Sequence, residues 1–559
     1  MQLGRLWRTV RWLKAAQIAG RVRFRLQRPR PDLRAPPPVR ALAAGASGAS
    51  VWVQPPQREA SLLAPTRLGF LGVEHDLDAV GWDDPALPLL WRYNLHYFDD
   101  LNAAGAQRRR AWQRDLVARW LAANPPHVHA TAWAPYPTSL RIVNWIKWFL
   151  AGEPAQAPWL ASLAVQVRWL ARRLEWHLLG NHLFANAKAL VFAGLYFEGP
   201  EADAWLATGV RILLRELPEQ VLADGAQFER SPMYHALALE DVLDLINVLR
   251  TLAPGPASGS PAQRLAAALE ERAGPMLHWL RCLTHPGGTL ARFNDTAEGI
   301  APPCRDIERY AAALGVTAAP APELGALALR PSGIVRVARG AAVALLDVAP
   351  VGPDYLPGHA HADTLSFELS LHGRELIVNR GTSVYGDGPR RQLERGTAAH
   401  STVQLGAHDS SEVWAGFRVG RRARPLQVSI DGWHVAAAHD GYAHLSGHPL
   451  HRRRWRFDAD DRLIIEDRVE PAGSARNIAA RARFHLAPGL RCEPAGAAAP
   501  REWTVFEGAQ PLAKAEVAAG GSATLESWQH ARRFGELVPA QTLVVPLADG
   551  CAEVRWTWL

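Results

Sequence analysis

Cysteine is scarce in this sequence. The 559 residues include four cysteines, and no two of them form a Cys-x-x-Cys pair. This spacing excludes a disulfide framework and a zinc–thiolate site, because both need several cysteines at short, regular intervals. Four scattered thiols are typical of a reduced compartment or of simple burial.

Long apolar runs are also missing. No apolar segment reaches the roughly 18 residues that a membrane-spanning helix needs, and the N-terminus lacks the apolar stretch and small-residue cleavage site of a secretory signal. The sequence therefore predicts a chain without a transmembrane helix, cytoplasmic unless another route exports it to the periplasm. A hydrophobic content of 48% against 21% charged residues is that of a globular protein, and the length allows two or three domains.

Acidic residues are absent from the first thirty positions, which hold nine arginines and lysines, and the whole chain carries a net charge of +8. This balance favours an acidic partner. The segment is either a basic amphipathic helix that contacts an anionic membrane surface or a solvated helix that packs on the protein body. In the second interpretation the packing residues are Leu6, Trp7, Val10, Trp12 and Leu13. We assign residues 1–84 to this helix and a following Pro-rich arm.

The hydrophobic pattern changes its period once along the chain. Residues 85–324 show helical spacing in many segments joined by short Pro/Gly breaks, which predicts stacked helical hairpins in a solenoid or a closed toroid. Residues 325–559 show two-residue alternation, and His372-Gly373 is a plausible hairpin turn. We therefore predict a multidomain α+β protein in which a helical domain precedes an antiparallel β-sandwich.

Two predicted helices begin with polar side chains that a pure core does not need. Asn181 and His182 open the first of them, where the ordinary interpretation is that the asparagine caps the helix. Tyr234 and His235 follow a Ser-Pro pair in the first turn of the second. Because a helix N-terminus favours negative charge, we expect it to lower the pKa of the Tyr234 phenol towards the range useful for proton transfer. The alternative is a tyrosine that packs one ring face and hydrogen-bonds its hydroxyl.

A His-x-His pair stands in the segment GHAHADTLSFEL. His359 and His361 come just before a predicted strand, and an extended backbone points both side chains to one side. Asn379 follows the next strand, and His400 precedes another. Imidazoles and an oxygen ligand from neighbouring strands can bind zinc. The alternative is that these histidines form local hydrogen bonds at a domain interface.

Several motifs in succession resemble those of the heparinase II/III family. They are NHLFANAKALVFAGLYF, DGAQFERSPMYH, RFNDTAEGIAP, GHAHADTLSFEL and RGTAAHSTVQLGAHDSSEVWAGFRVGRRARP. Two further segments, LWRYNLHYFDDL and PYPTSLRIVNWIKWFL, resemble the helical region of members found near bacterial surface-polysaccharide genes. The resemblance covers most of residues 85–480 and does not name a substrate. It implies an N-terminal (α/α) toroid followed by the β-sandwich.

The resemblance also implies β-elimination at a uronic acid in an acidic polysaccharide, a partner class that excludes nucleic acid. Asn181, with His182, would neutralise the uronate carboxylate, and Tyr234 and His359 would share the base and acid roles. A structural zinc ion would be bound by the positions that match family ligands, namely His361, His400 and, in place of the family's aspartate, Asn379. Beside the resemblance, the candidates for binding further acidic groups of the glycan are Arg230, His235, Arg390, Arg391, Arg395 and Arg418. The alternative is that the arginines are ordinary surface or structural residues.

Two other functions compete with this one. A glycoside hydrolase on a similar toroid would need two carboxylates that flank the bond, for which Glu229, Asp295 and Asp363 are candidates. A non-catalytic protein that handles polysaccharide during exopolysaccharide biosynthesis would keep the scaffold for binding alone.

Overall fold

Helices form the N-terminal part of the chain, and antiparallel strands form the C-terminal part. The computed structural model describes residues 2–40, 52–126, 128–253, 257, 259–470, 479–496 and 501–559. Its helices are α1 Gln2–Val10, α2 Ala15–Leu26, α3 Leu77–Val80, α4 Leu89–Leu95, α5 Arg110–Ala123, α6 Pro135–Leu150, α7 Ala157–Ala171, α8 Gly180–Tyr196, α9 Pro200–Gln220, α10 Pro232–Leu252, α11 Pro261–Cys282, α12 Cys304–Ala313 and α13 Pro389–Arg395. Short 3₁₀ turns lie at Asp99–Asn102, Ala106–Arg109 and Thr397–Ala399.

The long helices pair as hairpins arranged in two layers. Helices α6, α8 and α10 are neighbours in the inner layer, and α7, α9 and α11 pack outside them. Their starts follow from the sequence: a proline opens each of α9, α10 and α11, where the missing N–H costs nothing, and serine hydroxyls cap α10 and α11. Tryptophan fills much of the core between the layers, including Trp120, Trp145 and Trp148, which are fully buried. This is the toroid of the predicted fold class.

Two antiparallel sheets follow the toroid. The strands are β1 Arg67–Phe70, β2 Val73–Asp76, β3 Gly325–Leu329, β4 Ile334–Arg339, β5 Ala342–Asp347, β6 Phe367–Leu371, β7 Arg374–Val378, β8 Val403–Leu405, β9 Val413–Trp414, β10 Arg418–Val419, β11 Pro425–Asp431, β12 His434–His439, β13 Leu450–Ala459, β14 Arg462–Glu470, β15 Ala480–Leu486, β16 Leu490–Pro494, β17 Glu502–Glu507, β18 Gln510–Ala519, β19 Thr524–Arg533, β20 Glu536–Pro546 and β21 Cys551–Trp558. Of these strands, β1 and β2 form a separate two-stranded sheet ahead of the toroid in the chain, and β9 and β10 form another. One of the two large sheets has the order β11-β12-β13-β14-β21-β18-β17-β16, and the other has β19-β20-β15-β7-β6-β5-β4-β3 with β8 paired to β15.

The inner faces of these sheets form one core, as a β-sandwich requires. Phe367 of one sheet meets Trp455 of the other with ring centroids 6.4 Å apart. The predicted hairpin turn is confirmed: β6 and β7 pair through His372 and Gly373, both of which have positive φ. The extended backbone predicted for the His-x-His segment is not found. The strand begins only at Phe367, and the histidines lie in the preceding loop. An N–H from Ala360 to the carbonyl of Pro357 closes a turn there.

The N-terminal basic segment forms two helices, α1 and α2, and not one. It contacts the body through polar groups: Arg8 donates to Glu412 at 2.8 and 2.9 Å, and Lys14 pairs with Glu219. The packing residues in the second interpretation of this segment are largely wrong, because Leu6, Trp7, Val10 and Leu13 are all exposed and only Trp12 is half-buried. Among the described residues, no helix combines the length and apolarity needed to cross a membrane.

Candidate active site

Tyr234 and His359 are in direct contact between the toroid and the sandwich. Tyr234 lies in the first turn of α10, where the cap residue Ser231 accepts its N–H at 3.1 Å. The His359 ring stacks on the Tyr234 ring with centroids 3.8 Å apart and planes 17° from parallel. The two residues therefore lie on opposite sides of one domain boundary, within reach of a single sugar unit.

A buried carboxylate orients the His359 ring. The Nδ1 atom of His359 lies 2.6 Å from Oε2 of Glu229, and Glu229 is almost completely buried. A proton on Nδ1 donates to this carboxylate, which leaves Nε2 as the basic nitrogen. None of the described residues hydrogen-bonds Nε2. The arrangement supplies an imidazole that is fixed at one end and open at the other.

A second tyrosine completes the cluster. The hydroxyl of Tyr385 lies 3.0 Å from that of Tyr234, and the Tyr385 ring packs edge-on against Phe417 and Phe534. Burial, followed by the neighbouring tyrosine and by Asp295, raises the pKa of Tyr234 well above its ordinary value. The predicted lowering at the helix N-terminus is therefore wrong, since loss of hydration outweighs the helix dipole. The pKa of Tyr385 is also raised by burial.

Tyr234 and Tyr385 line a cavity of about 220 Å³ inside the inner layer of helices. Its charged groups pair with one another. Lys188 lies 2.6 Å from Asp241, and Arg58 forms two hydrogen bonds to Glu240, at 2.7 and 3.0 Å. The lining of this cavity therefore leaves hydroxyl and amide groups, more than free charge, to meet a ligand.

A larger cavity of about 610 Å³ adjoins the first, since Tyr136 lines both. His182 lies in its wall, with its ring 4.5 Å from that of Tyr136 and Nδ1 3.2 Å from Glu175. Burial alone would lower the pKa of His182, but the Glu175 carboxylate outweighs it and the pKa is raised. The rest of the described lining is rich in aromatic and basic side chains, including Phe24, Arg28, Tyr93, His129, Trp133, Trp169, Arg173 and His177.

Asn181 occupies the second position of α8 and is half-buried. It is not the helix cap, because the helix begins at Gly180 after Leu179, which has a φ of 63°. None of the described residues hydrogen-bonds its side chain. In the described part of the chain, His182 lines the larger cavity, the Asn181 amide has no hydrogen-bond partner, and no hydrogen bond joins Asn181 to Tyr234 or His359.

Three predicted substrate contacts have structural partners within the described chain. His235 is buried, accepts the Gln227 N–H at 3.0 Å and contacts the Met276 carbonyl through Nε2 at 2.9 Å. Arg395 is buried and donates to three main-chain carbonyls, those of Ala360, Ala415 and Arg418. Arg230 donates to the Ser332 carbonyl at 2.8 Å and so ties the toroid to the sandwich.

The other predicted arginines also have partners within the described chain. Arg390 donates to Gln529 at 2.8 Å, and exposed Arg418 stacks over the Trp414 ring. Arg391 is fully buried and binds both carboxylate oxygens of Asp295. Burial would raise the pKa of Asp295, but the Arg391 guanidinium and then His361 hold it far below the ordinary range.

The predicted zinc ligands form a buried group behind the reacting pair. Nε2 of His361 lies 2.9 Å from Asp295, and the rings of His361 and His400 are 5.2 Å apart. Nδ1 of His361 and both ring nitrogens of His400 are buried without a hydrogen-bond partner in the described part of the chain. The Asn379 oxygen accepts the Ser401 N–H at 3.0 Å. Two imidazoles with free ring nitrogens, one of them hydrogen-bonded to a carboxylate through its other nitrogen, fit a metal ion. The Asn379 amide is a weaker ligand.

A second group with metal-binding side chains lies at His285, Glu368 and Glu375. Nε2 of His285 is 2.8 Å from Glu368, and Arg292 pairs with Glu375. The donor atoms of this group are thus already used in hydrogen bonds and ion pairs, which fits a buried charge network better than a metal site.

Comparison with known proteins identifies the family. Residues 101–305 match the family described as Heparinase II/III N-terminus, and residues 321–557 match Heparinase II/III-like, C-terminal. The chain belongs to the heparinase II/III family.

Curated relatives of this family member include two differently named proteins. A heparin-sulfate lyase from Pedobacter heparinus is 29% identical over 246 residues, which are 40% of this chain and 36% of the relative. FtsZ-localized protein C from Caulobacter vibrioides is 28% identical over 436 residues, or 71% of this chain and 69% of the relative. The chain spans about a third of the length of the heparin-sulfate lyases it matches.

Solved structures of heparinases show the same fold. A crystal structure of heparinase III has a TM-score of 0.59 at 18% identity and covers 83% of this chain and 76% of its own. A mutant heparan sulfate lyase from Pedobacter heparinus has a TM-score of 0.56 at 17% identity, with coverages of 97% and 87%. Both likenesses concern the architecture of this heparinase II/III member.

Sequence reasoning about this family member missed two residues of the cluster. The sequence suggests Glu229 only as a possible hydrolase carboxylate, although it stands five residues before Tyr234 in the same motif. Its partner His359 is far away in the chain, so only the folded contact reveals its role. Tyr385 lies in an irregular loop between β7 and α13, and no periodicity marks it.

Proposed function

We propose that this protein is a polysaccharide lyase that cleaves a uronic-acid-containing glycan by β-elimination. The observation that carries the proposal is the stacked pair of Tyr234 and His359, with Glu229 behind the imidazole and cavities on the toroid side. A carboxylate-oriented imidazole beside a phenol is an acid–base pair suited to moving two protons on one sugar. The family membership and the names of the heparin-sulfate lyase relatives support the same class of reaction.

The reaction divides between the two side chains. Nε2 of His359 takes the C5 proton, because Nδ1 already donates to Glu229. The electrons of the C5–H bond form the C4–C5 double bond, and the C4–O4 bond breaks. The departing O4 takes the Tyr234 hydroxyl proton, and Tyr385, 3.0 Å from that hydroxyl, stabilises the phenolate through its own O–H. A raised pKa suits Tyr234 to this role, since the phenol stays protonated until O4 leaves.

The uronate carboxylate must be neutralised as the C5 proton leaves, since the intermediate gathers negative charge next to it. Preorganised donors at such a position can each be worth about 3 kcal/mol in a dry site. We assign this role to Asn181, whose amide has no described protein partner, and to His182, whose pKa is raised. The basic and aromatic lining of the larger cavity suits the rest of an anionic glycan, because aromatic faces stack on sugar rings.

Zinc has a structural role in this proposal. His361 and His400 would hold the ion, with Asn379 as a weak third ligand, and the Asp295 carboxylate would fix the His361 tautomer. A bound ion would tie the loop that carries His359 to the strand region at His400. The proton transfers remain with His359 and Tyr234.

The rival functions receive less support from the contacts. The hydrolase carboxylates are engaged elsewhere: Glu229 hydrogen-bonds His359, Asp295 binds Arg391, and Asp363 accepts the Asn294 N–H at 3.0 Å inside the core. A non-catalytic scaffold is the alternative suggested by the long match to FtsZ-localized protein C, whose name contains no lyase activity. The buried Glu229–His359 contact favours chemistry, because a binding surface has no need of an oriented base.

One assay separates the three functions. The purified protein is incubated with a panel of acidic polysaccharides while the ultraviolet absorbance of a 4,5-unsaturated uronate is followed. An increase supports the lyase. Shortened chains without that absorbance support the hydrolase, and binding without shortening supports the scaffold.

A further inference from the structure

The N-terminal arm, defined as residues 2–33, presents an apolar stripe to solvent. In α1, Leu3, Leu6, Trp7 and Val10 follow helical spacing, and Trp7 is 65% exposed. In α2, Ile18, Val22 and Leu26 lie one turn apart and are 56%, 54% and 77% exposed. Scattered exposed apolar residues are ordinary, but an exposed apolar stripe on each of two successive helices marks an interaction surface.

The arm is held on the body by its opposite, polar side. Arg5 and Arg8 lie across α1 from the stripe and bind Glu412 of the sandwich. In α2, buried Gln17 donates to the Tyr355 carbonyl at 3.3 Å, and Phe24 packs on His177 of the toroid with ring centroids 4.3 Å apart. Because these contacts hold the other side of each helix against the body, the apolar stripe faces solvent.

The charge of the arm specifies the kind of surface. The arm has nine basic residues and none that is acidic before Asp32. Arg21 and Arg25 flank the α2 stripe on one side, and Arg23 flanks it on the other. Within the described part of the chain, no carboxylate forms an ion pair with Arg11, Arg21 or Arg25. An apolar stripe flanked by unpaired arginines is complementary to an anionic bilayer, which has negative headgroups above apolar acyl chains.

We propose that the stripe of the N-terminal arm inserts at the surface of an anionic phospholipid bilayer, while its unpaired arginines contact the headgroups. A protein partner would be expected to bring acidic side chains and a complementary groove, and a second copy of this chain would bring nine more basic residues against the first. Repulsion between two basic arms therefore disfavours self-association through this face.

Co-sedimentation of the full chain with vesicles tests the proposal. We expect binding to phosphatidylcholine vesicles that contain phosphatidylglycerol, much weaker binding to phosphatidylcholine alone, and weaker binding as salt rises above about 0.15 M. The combined change Trp7→Ser, Ile18→Ser and Val22→Ser should reduce the bound fraction at least about tenfold, because the inserted apolar area is lost. Arg21→Gln with Arg25→Gln should reduce binding to the anionic vesicles and not to the neutral ones.

The matched control removes exposed leucines from elsewhere. Leu89 and Leu324 are 51% and 68% exposed outside the arm, and changing both to serine should leave vesicle binding unchanged. All variants should keep the thermal unfolding midpoint of the parent, since the altered side chains are solvated. The proposal is overturned if the parent does not bind anionic vesicles, if the stripe variant binds equally well, or if the stripe instead drives self-association in the absence of lipid.

Discussion

The rings of Tyr234 and His359 lie 3.8 Å apart and within 17° of parallel, although one belongs to the toroid and the other to the loop that enters the sandwich. Stacking at this distance leaves no room for a sugar between the rings. A substrate must therefore approach the ring edges, where the Tyr234 hydroxyl and the open Nε2 of His359 are found. Both groups then face the same side of the ligand, which is the geometry that a syn elimination requires.

The first prediction concerns turnover by this pair. Tyr234→Phe and His359→Ala should each lower kcat at least about 10²-fold, the usual scale for a lost general acid or base. Thermal unfolding should change little for Tyr234→Phe, because only one hydroxyl is removed. Steady-state formation of unsaturated uronate measures the effect, and Tyr385→Phe serves as the matched control with a smaller loss. Near-full activity of His359→Ala would show that the base lies elsewhere.

The second prediction concerns Glu229 as a positioning residue. Glu229→Gln keeps a hydrogen-bond acceptor for the His359 Nδ1 but loses the charge, and Glu229→Ala loses both. We expect activity to fall in the order parent, Gln variant, Ala variant, with kcat reduced and KM nearly unchanged, because the carboxylate contacts the base and not the glycan. A rise in KM without a loss of kcat would instead place Glu229 in substrate binding.

The third prediction tests the metal site. Purified parent protein should contain zinc in elemental analysis. His361→Ala or His400→Ala should remove the zinc and lower the thermal unfolding midpoint, and activity should fall only as a consequence of the lower stability. His439→Ala is the control, because His439 and His451 form another buried imidazole pair, with centroids 5.1 Å apart. Zinc that is absent from the parent, or retained in both variants, would reduce His361 and His400 to structural histidines.

The fourth prediction is a pH dependence of stability. Burial lowers the pKa of His235 from 6.5 to about 4. Between these two pH values His235 is protonated in the unfolded chain and neutral in the folded chain. The free energy of unfolding is therefore highest above about pH 6.5 and falls as the pH is lowered towards 4. The free energy of unfolding lost through this group between neutral pH and pH 4 is about 3 kcal/mol. His235→Gln should unfold more easily at pH 7 but lose less further stability on acidification, as measured by denaturant titration at several pH values. An unchanged slope would mean that His235 does not titrate on unfolding.

The overall fold could be predicted from the sequence because hydrophobic period, proline starts and glycine turns are local signals. The change from helical to alternating spacing places the toroid before the sandwich, and the His372-Gly373 turn is visible in two residues. Tyr234 and His359 could be selected through family motifs. The Glu229–His359 contact and Tyr385 could not, because they depend on how two domains dock. The structural partners of Arg395 and His235 could not be predicted either, since a sequence pattern cannot distinguish a buried side chain that bonds to carbonyls from one that faces a ligand.

Asp295 joins the two halves of the reacting pair through its main chain. Its N–H donates to the His359 carbonyl at 3.0 Å, and its carbonyl accepts the Ser231 hydroxyl at 2.5 Å, while that hydroxyl caps the turn that carries Tyr234. The segment that carries Tyr234 and the segment that carries His359 are thus joined through one residue. The spacing of the two reacting side chains is therefore held by two hydrogen bonds to the same main-chain unit, next to the boundary between the domains.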